Sequence, residues 1–117
     1  MFIGSSFDIY GKFISKGKGY GVFTREDIPI NSIVEICYCI PAAAYHWEDY
    51  VFGNPKVLPL GYGSIYNHSD NDNIIWKKND KEFIIQFISS KDIKAGDELC
   101  HNYGPGYWKD SSKVKLI

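Results

Sequence analysis

The sequence predicts a mainly β protein, and three features of its 117 residues support this. Apolar residues alternate with polar ones or run in short blocks, which is typical of short strands rather than of long amphipathic helices. Glycine, proline and asparagine residues separate these blocks, as they do at turns. Hydrophobic residues make up 44% of the chain, enough for the core of a single domain.

The clearest strand patterns are at residues 7–10, 22–23, 33–40 and 82–88. Residues 77–81, which are all charged or polar, have the composition of a hairpin tip before the last of these strands. A short helix is expected around residues 45–52, because the prolines that follow would interrupt a longer one. Cys37 and Cys39 alternate with Tyr38 and are predicted to face the core.

Residues 27–34 repeat the pattern of residues 92–99. Asn31 and Gly96 occupy equivalent positions in the two copies, and both residue types tolerate a positive φ angle. Each is therefore predicted to turn the chain tightly into the next strand. The repeat is too short to indicate a repeat protein.

Charge and cysteine content narrow the class of protein. The net charge is −1 and no basic block occurs, so nucleic acid is not expected as a direct partner. The slight acidity would suit a basic peptide.

Three cysteines without a C-x-x-C pair indicate a reduced, intracellular protein with no zinc site. The sequence shows no secretion signal and no apolar run long enough to span a membrane, so we expect a soluble protein.

Three segments carry the strongest functional signal. They are a glycine-rich segment at residues 17–25, the triplet Asn67-His68-Ser69, and residues 98–104, which end in Tyr103-Gly104. In order and spacing they resemble the glycine loop, the Asn-His-Ser segment and the terminal tyrosine segment of SET-domain protein lysine methyltransferases. The resemblance is greatest to the small stand-alone SET proteins of large viruses. Further matches are Glu48-Asp49-Tyr50, Gly61-Tyr62-Gly63, Ile65-Tyr66 and Tyr107-Trp108.

The resemblance implies a single SET domain over residues 1–117, without the cysteine-rich zinc segments that flank many relatives. It implies a β-clip-like fold of several small sheets, in which the C-terminal segment passes under a loop in a pseudoknot-like crossing. That crossing would bring Asn67-His68 beside Tyr103. A homodimer is a further hypothesis, motivated by the small size and the missing closing segment.

The resemblance also implies the site. Tyr103 would be the catalytic residue, and the cofactor would be S-adenosylmethionine. Cofactor-binding residues would be Lys18, Gly19, Tyr20, Gly21, Asn67, His68 and Tyr103. The substrate channel would be lined by Tyr50, Tyr66, His101, Tyr107 and Trp108. Similar enzymes carry an aromatic or small apolar residue at the position of His101 that tunes the number of methyl groups added, and a histidine leaves that number open.

The implied function is methylation of a lysine side chain in a basic protein, with a histone tail favoured and a nuclear location if that is the substrate. Ribosomal and other proteins are equally compatible with the sequence. The alternative is a catalytically inactive SET-like domain that binds a peptide or cofactor. A hydrolase is excluded, because the adjacent residues His68, Ser69 and Asp70 cannot form a triad and no G-x-S-x-G segment occurs.

Overall fold

The computed structural model describes residues 2–41, 52–53 and 56–103, and the regular structure in these ranges consists of strands. They are β1 (Ile9–Ser15), β2 (Gly19–Thr24), β3 (Ile33–Pro41), β4 (Val57–Pro59), β5 (Asn67–His68), β6 (Ile74–Asn79), β7 (Ile84–Ser89) and β8 (Glu98–His101). The mainly β prediction is therefore confirmed. The helix expected around residues 45–52 lies outside the described residues except for Phe52, which forms an isolated bridge with Val57. In the part of the chain described, no helix is long and apolar enough to cross a membrane.

The strands form two four-stranded sheets. The first has the order β1-β2-β8-β5 and the second the order β4-β3-β7-β6. Neighbouring strands are antiparallel except β5 and β8, which are parallel. Buried side chains from both sheets form one hydrophobic core, which includes Val22, Val34, Tyr66, Phe87 and Leu99. Burial of this shared core is the main favourable contribution to folding.

The predicted hairpin exists, but its tip lies later in the sequence than residues 77–81. Lys77 and Lys78 belong to β6, and residues 80–83 form the turn. Phe83 closes it with a φ angle of 56°. The predicted bounds were wrong because Lys77 and Lys78 have the composition of a turn, whereas their pairing with β7 continues the strand. The prediction for the cysteines is confirmed, since Cys37 and Cys39 are buried and Tyr38 is exposed.

The two similar segments seen in the sequence pair with each other. We call residues 27–31 and 92–96 the twin turns. Ile28 and Ile93 exchange two backbone hydrogen bonds of 2.8 Å each. Asp27 Oδ1 accepts the Ala95 N–H and Asp92 Oδ1 accepts the Ile30 N–H, both at 2.9 Å, so the contacts repeat about a local pseudo-twofold axis.

The positive φ angles predicted for the twin turns are confirmed. Asn31 has a φ angle of 65° and Gly96 of 95°. Their N–H groups donate to equivalent carbonyls, that of Ser89 at 2.9 Å and that of Thr24 at 2.7 Å. The twin turns thus connect β2 with β3 and β7 with β8 and hold the two sheets together.

The crossing involves β8, which is covered by the segment that follows β5. Ser69 N–H donates to the carbonyl of His101, and Asn73 N–H donates to the carbonyl of Cys100. The Asn73 side chain accepts the Cys100 N–H at 2.9 Å and donates to the Glu98 carbonyl at 2.9 Å. Residues 69–73 therefore fix β8 next to β5.

Candidate functional site

Tyr103 is held at both ends by the residues around β5. Its hydroxyl donates to the carbonyl of Tyr66 at 2.9 Å, and its backbone N–H donates to Nδ1 of His68 at 3.0 Å. Its ring lies close to two imidazoles, with ring centroids 5.2 Å from His68 and 4.8 Å from His101. A phenol has one proton, so a hydroxyl that donates to a carbonyl can meet a further polar group only as an acceptor.

The hydrogen bonds of His68 define its tautomer. A backbone N–H can only donate, so Nδ1 of His68 must be the unprotonated nitrogen that accepts from Tyr103. Nε2 then carries the proton and donates to Oδ1 of Asp70 at 2.8 Å. Asp70 therefore favours the tautomer of His68 that is protonated on Nε2, and this tautomer leaves Nδ1 able to accept the backbone N–H of Tyr103.

Asn67 lies at a point where three segments of the chain converge. Its Nδ2 group donates to Oε2 of Glu98 at 2.8 Å and to the carbonyl of Tyr20 at 3.2 Å. Gly21 packs directly against this pair, and a Cβ atom on it would lie 2.5 Å from Oε2 of Glu98 and 3.0 Å from Nδ2 of Asn67. A side chain at this position would displace the Glu98 carboxylate or the Asn67 amide, so glycine lets both groups lie against the backbone of β2.

Glu98 also affects the thiol of Cys100 on the same strand. Burial, followed by the nearby charge of Glu98 and a hydrogen bond to its carboxylate, raises the pKa of Cys100 to about 12. The thiol is therefore protonated at neutral pH and donates to Glu98. Together with the amide of Asn67, this donor holds the Glu98 carboxylate in place beside Gly21.

The other residues of the glycine segment lie at the start of β2. Gly19 has a φ angle of 70°, and open space surrounds the position where its Cβ would be. The half-buried Lys18 donates its backbone N–H to Oγ of Ser15 at 3.1 Å. The ring of Tyr20 is 61% exposed and makes an edge contact with Phe13. Of this segment, the Gly21 backbone and the Tyr20 carbonyl lie closest to Asn67.

His101 is buried among aromatic rings, with 5% of its surface exposed. Its ring centroid is 5.5 Å from that of Phe52, 6.2 Å from that of Phe87 and 4.8 Å from that of Tyr103. Burial lowers the pKa of His101 to about 4, so the ring is neutral at physiological pH. Its Nδ1 atom is buried and has no hydrogen-bond partner, the one such atom recorded for the described side chains.

Tyr66 contributes its carbonyl, rather than its ring, to the surroundings of Tyr103. Its side chain is 1% exposed, and its ring packs against Phe87 with a centroid distance of 4.6 Å. Its hydroxyl donates to Oε1 of Glu35 at 2.6 Å. Burial and the adjacent carboxylate raise the pKa of Tyr66 well above its usual value. The ring is therefore part of the hydrophobic core.

The structure thus brings together Asn67, His68, His101 and Tyr103, with Gly21 against Asn67. Tyr50, Tyr107 and Trp108, which the sequence placed in the substrate channel, lie outside the described residues.

Glu98 and Glu35 both contact site residues, although no sequence pattern predicted a role for either. Glu98 is part of the tyrosine segment and lies opposite Phe23 on β2, two residues from Gly21. Glu35 precedes Cys37 by two residues, and strand alternation places both on the same, core-facing side. A carboxylate on the core side of a predicted strand was the signal that could have identified Glu35.

Comparison with known proteins gives one consistent result. The protein family described as SET domain matches residues 19–104 of the chain. The chain is 33% identical over 103 residues to the "Histone-lysine N-methyltransferase, H3 lysine-37 specific" of Schizosaccharomyces pombe, and the alignment covers 78% of this chain and 70% of that protein. Its structure is similar to the crystal structure of a "putative histone methyltransferase" from Plasmodium falciparum, with a TM-score of 0.71 and 34% identity. That similarity covers 88% of this chain and 98% of the other.

Proposed function

The chain belongs to the SET-domain family and is a protein-lysine methyltransferase, and on this premise we propose that it transfers methyl groups from S-adenosylmethionine to a histone lysine. The observation that carries this proposal is the arrangement of Tyr103, whose hydroxyl and backbone are both bound by residues 66–68. Methyl transfer to an amine is a direct displacement, so its rate depends on the alignment of the reacting atoms. A phenol fixed at both ends suits that requirement.

Tyr103 would act on the target amine as a hydrogen-bond acceptor. A free lysine with a pKa near 10.4 is neutral in only about one molecule in 2,500 at pH 7, so the site must favour the neutral amine. Burial of the amine among aromatic rings does so by desolvation. Because the Tyr103 hydroxyl donates its proton to the Tyr66 carbonyl, its oxygen can accept an N–H of the amine and direct the nitrogen lone pair.

The residues near Gly21 have the chemistry to hold the cofactor. When bound, S-adenosylmethionine supplies an electrophilic methyl group on a positively charged sulfur. The methionine end of this molecule carries an ammonium group, and Oδ1 of Asn67 and the carboxylate of Glu98 offer it acceptors beside the side-chain-free backbone of Gly21. We propose that Lys18, Gly19 and Tyr20 extend this cradle and that His68 contributes through its backbone.

We propose that His101 lines the substrate channel beside Tyr103. Its neutral imidazole would present a polar nitrogen among the rings of Phe52 and Phe87, in a position to affect how a methylated amine is held. Tyr50, Tyr107 and Trp108 are proposed as further channel residues from the sequence. A neutral His101 would allow a cationic methylammonium to bind beside it, whereas a charged imidazole in the same place would repel that cation.

The relative in Schizosaccharomyces pombe acts, by its name, on lysine 37 of histone H3, which supports a histone as the substrate of this chain. A histone substrate would place the protein in the nucleus. A homodimer remains a hypothesis from the sequence, and light scattering of the purified chain at working concentration tests it.

The proposed function is tested by incubating the purified chain with labelled S-adenosylmethionine and core histones. We expect label on a histone lysine, identified by mass spectrometry. Tyr103→Phe should lower kcat by about 100-fold, because it removes the oxygen that orients the amine. Cofactor affinity, measured by calorimetry, should change by less than about twofold, because the Asn67 and Gly21 contacts remain.

Two results would contradict this proposal. Cofactor binding without transfer to any histone, to ribosomal proteins or to a peptide array would favour an inactive binding domain. Unchanged turnover by Tyr103→Phe would remove Tyr103 from its catalytic role while leaving the family assignment intact.

A further inference from the structure

Glu35 is the one carboxylate that is buried in the part of the chain the structure describes, with 4% of its surface exposed. A buried charge is costly unless hydrogen bonds replace its water. Its Oε1 atom accepts the Tyr66 hydroxyl at 2.6 Å, and its Oε2 atom accepts the Tyr62 N–H at 3.0 Å. The thiol of Cys37 is a third neighbour. Burial is the main cause that raises the pKa of Cys37, and the charge of Glu35 is the second.

The chain between β4 and β5 is folded closely around this carboxylate. Gly61 has a φ angle of 70°, and a Cβ atom there would lie 2.5 Å from Oε2 of Glu35. The turn closes with a 2.8 Å hydrogen bond from the Ile65 N–H to the Tyr62 carbonyl. The conformation of residues 61–66 therefore depends on the buried carboxylate of Glu35 on β3, around which they fold.

Tyr66 connects this turn to the site. Its hydroxyl is fixed by Glu35, its ring is fixed by Phe87, and its carbonyl accepts the hydroxyl of Tyr103. The position of the carbonyl follows from the position of the Tyr66 backbone, which the buried side chain anchors. A hydroxyl bound to a carboxylate at 2.6 Å is a short, charge-assisted bond with a defined direction, which apolar packing alone would not supply.

We propose, on the premise that Tyr103 is the catalytic residue, that Glu35 is a positioning residue for methyl transfer and acts through Tyr66. The carboxylate fixes the ring of Tyr66, and the carbonyl of Tyr66 fixes the phenol that orients the amine. Glu35 itself bonds to Tyr62 and Tyr66 and reaches Tyr103 only through Tyr66.

Tyr66→Phe tests this by removing one oxygen atom from the core. We expect kcat to fall about tenfold, because a small displacement of a positioned group is costly in a direct displacement, while the KM values for peptide and cofactor stay within about twofold. Glu35→Gln is a second variant of the same size, and its amide cannot accept both the Tyr66 hydroxyl and the Tyr62 N–H. It should also lower kcat.

A double variant distinguishes positioning from general loss of stability. In a Tyr103→Phe background, Tyr66→Phe should cause no further fall in kcat, because the group that it positions is already gone. Ser89→Ala is the matched control, because it removes buried hydrogen bonds to Pro29 and Ser32 in the twin-turn region. It should lower thermal stability and leave kcat unchanged. An equal fall in kcat for Tyr66→Phe with and without Tyr103 would overturn the proposal.

A structural measurement gives the answer independently of activity. NMR of protein labelled with ¹³C at the tyrosine ring carbon that bears the hydroxyl should show a shifted Tyr103 signal in Glu35→Gln and an unshifted one in Ser89→Ala. An unshifted signal in both would overturn the role of Glu35 even if the wild-type chain methylates histones. A shifted signal in a chain without methyltransferase activity would support the positioning contact while the proposed function fails.

Discussion

The twin turns and the site around Tyr103 both join distant parts of the chain by hydrogen bonds, but they do so in opposite ways. In the twin turns the aspartate caps and the backbone bonds between Ile28 and Ile93 each occur twice. Around Tyr103 each contact occurs once, and the acceptors are a buried carboxylate, a buried carbonyl and an imidazole.

The two regions should therefore differ in how well they tolerate the loss of one hydrogen bond. The two aspartate caps are exposed, so water can replace a missing partner there and the loss of one cap is tolerated. A single buried contact has no such replacement, so its loss leaves an unsatisfied polar group. We therefore expect substitutions of the same kind to have larger effects in the site than in the twin turns.

The largest expected contrast is between two glycines with positive φ angles. Gly61 (φ 70°) and Gly96 (φ 95°) both favour glycine, but an added Cβ would meet Glu35 at Gly61 and open space at Gly96. Gly61→Ala combines backbone strain with overpacking and should lower the free energy of unfolding by about 4 kcal/mol. Gly96→Ala carries only the strain and should cost about 1 kcal/mol. Urea unfolding of both variants measures the difference.

Equal costs for the two alanine variants would contradict the expectation that the Gly61 site is more sensitive than the Gly96 site. Such a result would mean that Glu35 moves aside without losing the Tyr66 and Tyr62 bonds. The m value must remain that of the wild-type protein for the comparison to hold.

The next contrast concerns pH and depends on His101. Its pKa is lowered from 6.5 to about 4 in the folded protein, so the unfolded chain binds more protons between these values. The stability associated with the neutral ring is complete above pH 6.5 and is lost as the pH falls towards 4, by about 3 kcal/mol. His101→Phe suits the aromatic surroundings and should remove this part of the acid sensitivity.

Urea unfolding at pH 7 and pH 4 measures the effect as the difference between wild type and variant. Other groups titrate in the same range, so Gly96→Ala, which changes no titratable group, serves as the reference for their contribution. An identical loss of stability in all three proteins would show that protonation of His101 is not linked to unfolding.

The same two regions differ in how far the sequence predicts them. The turns at Asn31 and Gly96 follow from local patterns, because residue type, strand alternation and a positive φ angle are decided over a few positions. That the twin turns pair with each other is a long-range fact, and the repeated pattern alone does not contain it. The crossing that brings Asn67-His68 beside Tyr103 was implied only by the resemblance to SET domains, and the parallel pairing of β5 with β8 was not predicted.

The bond between Glu35 and Tyr66 illustrates what remained outside sequence reasoning. Alternation along β3 places Glu35 on the side of Cys37, but it does not say which of nine tyrosines in the chain lies opposite. That partner is 31 positions away and is determined by how residues 61–66 close around the carboxylate. The hairpin tip was misplaced for a related reason, since the length of β6 is set by its pairing with β7, which the polar composition of residues 77–79 does not reveal.

The smallest expected effects come from the aspartate caps of the twin turns. Because the two caps are related by the pseudo-twofold axis, we expect equal costs for the same substitution at each. Asp27→Ala and Asp92→Ala each remove one carboxylate that accepts one backbone N–H at 2.9 Å, and each should cost about 1 kcal/mol. Asp→Asn at either position keeps an acceptor oxygen and should cost less than about half of that. Methylation activity should be unchanged in all four proteins, because neither cap touches residues 66–68 or Tyr103. Urea unfolding measures the cost at each cap. A cost at one cap several times that at the other would show that the two pseudo-twofold contacts are not energetically equivalent. Their strengths would then depend on the strands they join rather than on the turns themselves.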